Sequence, residues 1–175
     1  MDKKIFAISG STRQHSSNYN LLKAIGKLIP KDVELTIYTD IGKLPHFNPD
    51  LNSEEITTVK DFRSQISTAA AVLICTPEYA HGVPGTLKNA IDWTVATGEF
   101  SGKPTALITA STDGTFSHHS LLETLKVIEA KNIENQNLLI QYINTKVNAN
   151  GIIDEQTCTD VQNLVDRLIN LATNC

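Results

Sequence analysis

The chain has 175 residues, 41% apolar and 19% charged, with fifteen Lys and Arg against nineteen Asp and Glu for a formal net charge of −4. This is the composition of a soluble globular protein, and the length suits one domain, so residues 1–175 are read as a single unit. No run approaches the ~18–20 apolar residues that span a bilayer, and no Lys/Arg cluster supplies the footprint of a nucleic-acid binder. Membrane and nucleic-acid partners are therefore excluded, and a small-molecule partner is expected.

Met1-Asp2-Lys3-Lys4 leads into the apolar run Ile5 to Ile8, too brief for the core of an export signal and suited to a buried strand. Leu21, Leu22, Ile25, Leu28 and Ile29 then recur at helical spacing, closed by Pro30, and Val33 to Tyr38 alternate as a second strand. A Pro-rich loop from Leu44 to Asp50 precedes a polar helix from about Ser53 to Gln65, followed by Ala69 to Cys75, apolar enough for a central strand covered on both faces. Pro84 opens a third helix with Leu87, Ala90, Ile91, Thr94 and Val95 on one stripe, broken by Gly98 and Gly102. Thr105 to Thr109 predict a strand, Leu121 to Ile128 a helix, Leu138 to Ile143 a fifth strand, and Val161 to Leu171 a last helix capped by Asp154. Five strictly alternating βα units predict a parallel sheet with helices on both faces, because right-handed crossovers place them there. Cys75, Cys158 and Cys175 are odd in number and widely spaced, which suits neither a disulfide framework nor a CxxC site. Reduced thiols in the cytoplasm are the expectation.

Ligands of open α/β sheets bind beyond the carboxyl ends of the strands, so the loops there carry the chemistry. The first reads Ser9-Gly10-Ser11-Thr12-Arg13-Gln14-His15-Ser16-Ser17-Asn18 and runs into a helix. Helix-start N–H groups, the hydroxyls of Ser11, Ser16 and Ser17, and one guanidinium form a donor array for a phosphate monoester. The spacing is neither GxxxxGK[ST] nor GxGxxG, which excludes a Walker loop and a dinucleotide fingerprint; an ordinary N-capped turn is the plainer alternative. The second loop, Thr76-Pro77-Glu78-Tyr79-Ala80-His81-Gly82-Val83-Pro84-Gly85, holds two prolines and two glycines in ten residues. Such a stiff segment can present backbone donors and acceptors to the edge of a planar ring while Tyr79 supplies an apolar wall.

Gly10-Ser-x-Arg-x-x-Ser16-x-Asn18, Pro77-Glu78-Tyr79 and Pro84-Gly-x-Leu-Lys-Asn-Ala-Ile-Asp-Trp93, with Leu44-Pro45-x-Phe47-Asn48-Pro49-Asp50-Leu51 between them, resemble the NAD(P)H-dependent FMN reductases, a family that includes chromate, quinone and azo-dye reductases. The resemblance implies a flavodoxin-like three-layer sandwich with a five-stranded parallel sheet in the order 2-1-3-4-5. It implies FMN as cofactor, NAD(P)H as co-substrate, a small acceptor such as a quinone, azo compound, chromate or free flavin, and a homodimer or homotetramer. Carried over residue by residue, Ser11, Arg13, Ser16, Ser17 and Asn18 are expected at the phosphate, Pro77, Glu78, Tyr79, Ala80, His81 and Gly82 beside the ring, and Ser111 and Gly114 from Ala110-Ser111-Thr112-Asp113-Gly114-Thr115-Phe116 against its pyrimidine side. Glu78, Tyr79 and Phe47 are expected to shape the substrate side, with Phe47 closing it from this chain or a partner subunit. Many members have Asn and Ser where this chain has Ala80 and Gly82, so main-chain bonds, or His81, must take over there. A carboxylate turned inward would disfavour a ring that gains negative charge on reduction, so Asp113 is expected to face solvent.

The other readings are weaker. His81, His118 and His119 lack a suitably spaced carboxylate for a metal site, and no G-x-S-x-G elbow supports a hydrolytic triad at Ser111. Trp93 is expected to pack in a core or interface, Asp92 to satisfy a neighbouring backbone group or Lys88, and Cys75 to be a small core residue. The cofactor carries the hard chemistry, so no catalytic side chain is named. The main alternative is a flavodoxin-type electron carrier, which would use an acidic docking face that a net charge of −4 does not supply. A phosphoacceptor receiver domain would need an acidic cluster where Ser9-Gly10-Ser11 stands.

Overall fold

The computed structural model describes residues 3–13 and 15–173. Strands β1 (Lys3–Ser9), β2 (Val33–Tyr38), β3 (Ala71–Thr76), β4 (Thr105–Ala110) and β5 (Asn137–Ile140) pair in parallel in the order β2-β1-β3-β4-β5. All six residues of β3 and of β4 are buried, which is why these strands read as unbroken apolar runs instead of alternating.

Alternation still decides which face each side chain serves. Phe6, Ile8, Val72, Ile74 and Leu107 point to one side and meet Phe62 and Ile66 of α2 (Thr57–Thr68), Leu87 and Ile91 of α3 (Gly85–Val95), and Leu121 and Leu125 of α4 (Thr115–Val127). Ile5, Ala7, Leu73, Cys75 and Ile108 point to the other and meet Leu21, Leu22 and Ile25 of α1 (Ser17–Leu28) and Val161, Leu164, Val165 and Leu168 of α5 (Glu155–Thr173). Burying each large aliphatic side chain contributes ~1.5–3 kcal/mol, so the two layers hold the strand ends, and the loops leaving them, in fixed positions. Trp93 is buried in the first layer, and the Cys75 thiol lies in the second, where burial pushes its pKa well up and leaves it unreactive. Among the described residues no helix is long and apolar enough to cross a membrane.

The three-layer arrangement and strand order are those expected; the differences lie at element ends. Helix α2 starts at Thr57, not near Ser53, because Asn52 accepts the Glu54 N–H (3.1 Å) and donates to Glu55, so local side-chain bonds hold a turn there. Helix α4 starts six residues before Leu121. Strand β5 stops at Ile140, since Tyr142 at φ 53° turns the chain into a 3-10 turn over Ile143–Thr145. A small antiparallel hairpin, β6 (Val147–Asn148) and β7 (Gly151–Ile152), follows, its strands too short to leave a periodic signal. Asp154 caps α5, accepting the Thr157 N–H at 2.8 Å.

Candidate active site

The loop after β1 leaves the sheet at Gly10, whose N–H donates to the Cys75 carbonyl at 2.8 Å. A Cβ there would collide with the Thr76 side chain, approaching its Cβ to 2.8 Å, so only glycine lets the loop lie this close to β3. Ser9 Oγ donates to the Ser11 carbonyl (3.1 Å), the Arg13 N–H donates to Ser11 Oγ (3.3 Å), and Ser16 caps α1 by accepting the Tyr19 N–H (3.1 Å). The N–H groups of Ser17 and Asn18 open the helix, among the first-turn donors for which an α-helix itself supplies no partner. Arg13 is exposed and pairs with no carboxylate among the described residues. Hydroxyls, helix-start amides and an uncommitted guanidinium on one concave turn fit a doubly charged terminal phosphate.

Two residues expected at the phosphate use their side chains elsewhere. Asn18 is buried, donates to the Ala110 carbonyl at 3.0 Å and accepts from Cys75 Sγ at 3.3 Å, because the ends of β3 and β4 leave buried groups that need partners. Ser17 Oγ donates to Asn144 Oδ1 at 2.6 Å, tying α1 to the turn after β5. Both residues still line the cavity between the loops.

In the second loop the Glu78 N–H donates to Ser111 Oγ (3.3 Å), joining it to the loop after β4. Tyr79 and Gly82 exchange two backbone bonds (3.1 and 2.9 Å) around Ala80 (φ 49°) and His81 (φ 57°), a left-handed pair typical of a tight hairpin turn that normally prefers Asn-Gly. Tyr79 stands half-exposed. The Glu78 carboxylate, 7% exposed, does not face the open side expected for it. It accepts the Ser117 N–H at 2.8 Å and the Gly114 N–H at 3.4 Å, since the glycine at the start of α4 has no side chain to cap the helix. His81 lies edge-on to Phe116, ring centres 4.6 Å apart, with Nδ1 3.8 Å from Glu78. Asp113 is exposed; hydrogen bonds from Thr115 and Gln141 hold its carboxyl below the usual range.

These loops enclose a cavity of 320 Å³. Ser11, Arg13, Ser16, Ser17 and Asn18 line it from the first loop, Pro77, Glu78 and Tyr79 from the second, and Ser111 from the third. Ala80, His81, Gly82 and Gly114 shape the turns behind these walls without lining it. Phe47 is not brought to it either: its ring packs edge-on against Trp93 at 5.1 Å, and its N–H donates to Asn89 Oδ1 at 2.7 Å. His15, Ala110, Thr112, Ile143 and Asn144 are wall residues that sequence reasoning missed; extending the carboxyl-end rule to β5 points to the last two. A larger depression of 740 Å³ lies at the amino ends of the strands. Its lysines are engaged, Lys3 with Asp32 and Lys103 with the Ser67 and Ala69 carbonyls, so volume alone does not make it the site.

The sequence profile of the NADPH-dependent FMN reductases matches residues 3–145, which contain every loop of the cavity. A 2-hydroxy-1,4-benzoquinone reductase of Burkholderia is 34% identical over 174 residues, covering 95% of this chain and 94% of that protein. An NAD(P)H-dependent FMN reductase of Pseudomonas aeruginosa is 33% identical over 175 residues, with 95% and 94% covered. Among solved structures, a flavoenzyme NAD(P)H:(acceptor) oxidoreductase of Paracoccus denitrificans superposes with a TM-score of 0.79 at 27% identity over 98% of each chain. On the profile match and these full-length relatives, the chain belongs to the NADPH-dependent FMN reductase family and is an NAD(P)H-dependent oxidoreductase that uses FMN.

Proposed function

We propose that residues 1–175 form one FMN-binding domain whose cavity between the β1, β3, β4 and β5 loops serves electron transfer from NAD(P)H to a small acceptor of the quinone class. The observation that carries this is the exposed Arg13 guanidinium, without an acidic partner among the described residues, beside the hydroxyls of Ser11 and Ser16 and the first N–H groups of α1. Those groups hold the phosphate. The stiff Pro77–Tyr79 segment and Ser111 flank the ring, with Tyr79 as the exposed apolar wall toward the substrate. FMN, when bound, supplies the hydride acceptance and electron delivery; the protein contributes orientation and exclusion of water. The quinone class is favoured by full-length relatives named quinone reductases, among them one of Pseudomonas putida, 32% identical over 170 residues.

Two finer statements complete the reading. Exposed Val95 and Val127 border a depression floored by Phe100, an apolar surface suited to a second copy in a homodimer or homotetramer. Free thiols at Cys75 and Cys158 suit the reducing cytoplasm. The test is an absorbance titration with FMN, followed by NADPH oxidation with a simple benzoquinone and no added reductase. Uptake of FMN with a flavin absorption band and quinone-dependent turnover is the expected result; protein that stays colourless and leaves NADPH unoxidised removes the reading. FMN uptake without NADPH oxidation would favour the electron-carrier alternative instead.

A further inference from the structure

We propose that Glu78 is a positioning residue that lowers the reduction potential of FMN held in this cavity by cancelling the positive amino terminus of α4. The inference rests on the FMN reading above and adds a role for a buried carboxylate which that reading leaves without one. Two electrons and one proton, arriving as hydride from NAD(P)H, leave reduced FMN with one more negative charge than the oxidised form. Fixed charge near the ring therefore weights the two forms unequally.

The nearest built-in positive source is helix α4, whose amino end is equivalent to roughly half a positive charge. The segment leading into it, Ser111 and Thr112, is a wall of the cavity. Left bare, that helix end favours the more negative, reduced form. Glu78 reverses the sign. Its carboxylate takes the Ser117 and Gly114 N–H groups at 2.8 and 3.4 Å, and at 7% exposure its charge is little screened by solvent. A full negative charge set on half a positive one leaves the helix end negative.

A cap for stability alone needs no such reach. Asp113, next to the helix start, already accepts the Thr115 N–H at 3.4 Å, from an exposed position where solvent screens its charge. The buried charge is a second one, and it comes from the loop after β3, which itself walls the cavity, 39 residues before Ser117. The arrangement places a negative charge behind the ring site, so that reduced FMN is held less tightly and gives up its electrons more readily.

The experiment compares wild-type protein, Glu78→Gln and Glu78→Asp, each reconstituted with FMN. Fluorescence quenching gives the affinity for oxidised FMN, and anaerobic equilibration with reference dyes gives the midpoint potential. Gln keeps the shape and loses the charge; Asp keeps the charge and loses reach. In Glu78→Gln the ratio of reduced to oxidised FMN affinity should rise about tenfold, an upward shift of ~30 mV for a two-electron couple. Glu78→Asp should stay within about threefold of wild type, because Coulomb interaction falls only gradually with distance. An unchanged potential in Glu78→Gln, or equal shifts in both variants, makes Glu78 a structural cap and overturns the proposal. If Glu78→Gln does not fold, Asp113→Lys changes two units of charge at the same helix end from an exposed position. At low ionic strength, where this exposed charge is least screened, it should raise the ratio severalfold, and an unchanged ratio there overturns the proposal. Wild-type protein that takes up no FMN overturns the cofactor reading itself, a failure distinct from FMN-loaded protein whose potential ignores Glu78.

Discussion

At the scale of single residues, His118 is held in one tautomer by its neighbours. Asn137 donates through Nδ2 to the Ile133 and Glu134 carbonyls, so its Oδ1 accepts from His118 Nε2 at 3.1 Å, and His118 Nδ1 accepts from Thr109 Oγ1 at 2.9 Å. Burial, with a smaller push from His119, lowers the His118 pKa from 6.5 despite the Asn137 bond that raises it. The folded state thus binds this proton less readily than the unfolded chain. Its contribution is full above pH 6.5 and is lost as pH falls through 6.5 toward the lowered folded value, levelling off below. His118→Phe should flatten that slope in urea unfolding followed from neutral to acid pH, while costing about 1–3 kcal/mol at neutral pH for the partners left unpaired; an unaltered slope assigns the pH dependence to another group. Ala80 offers the opposite case. It sits at φ 49° without the glycine or asparagine such a position favours, so Ala80→Gly should stabilise the protein by about 0.5–1 kcal/mol in the same assay, and a loss would show that the turn is not strained there. Residue types were readable as chemistry at this scale, and directions were not. Ser11, Ser16 and Arg13 line the cavity, whereas the Asn18 and Glu78 side chains turn away because buried carbonyl and N–H groups from distant elements claim them.

At the scale of elements, legibility followed burial. Strands β1, β3 and β4 were visible because both of their faces are covered, and α1 and α5 because one apolar stripe meets the sheet. The start of α4 was hidden, since Thr115 to Ser120 carry no such stripe and the buried carboxylate that takes the Ser117 N–H lies in another loop. The hinge of that region is Gly114, at φ 91°, where the turn from β4 passes under β5. A Cβ there would stand 2.9 Å from Leu139 Cδ1 and 3.1 Å from Thr109 Cγ2. Gly114→Ala therefore combines backbone strain with a collision inside the sheet and should cost about 1–3 kcal/mol in urea unfolding. Because α4 and the Ser111 wall move with that turn, FMN affinity should fall as well. A variant as stable as wild type would mean that β5 gives way freely, and the rigidity assigned to this side of the cavity would be wrong.

At the scale of the whole molecule, the helix layers that hold the strand ends are complete without the cavity loops' charged groups, and this separates folding from binding at Arg13. The side chain is exposed and lies outside both apolar layers, so Arg13→Ala should leave the stability of the FMN-free protein within about 0.5 kcal/mol of wild type. FMN at a hundred times its dissociation constant adds ~2.7 kcal/mol to the wild-type protein, a rise of roughly 5–10 °C in melting temperature for a chain of this size. On the proposed reading, a charge-assisted contact of the guanidinium with phosphate is expected to contribute ~1.5–3 kcal/mol, so its loss should weaken binding by roughly 10- to 150-fold. At the same FMN concentration about half to nine-tenths of the increment should therefore vanish in Arg13→Ala. Thermal unfolding of both proteins with and without FMN reads all four values. Equal FMN-induced shifts would place the phosphate elsewhere, and a drop in the FMN-free melting temperature would make Arg13 a structural residue after all.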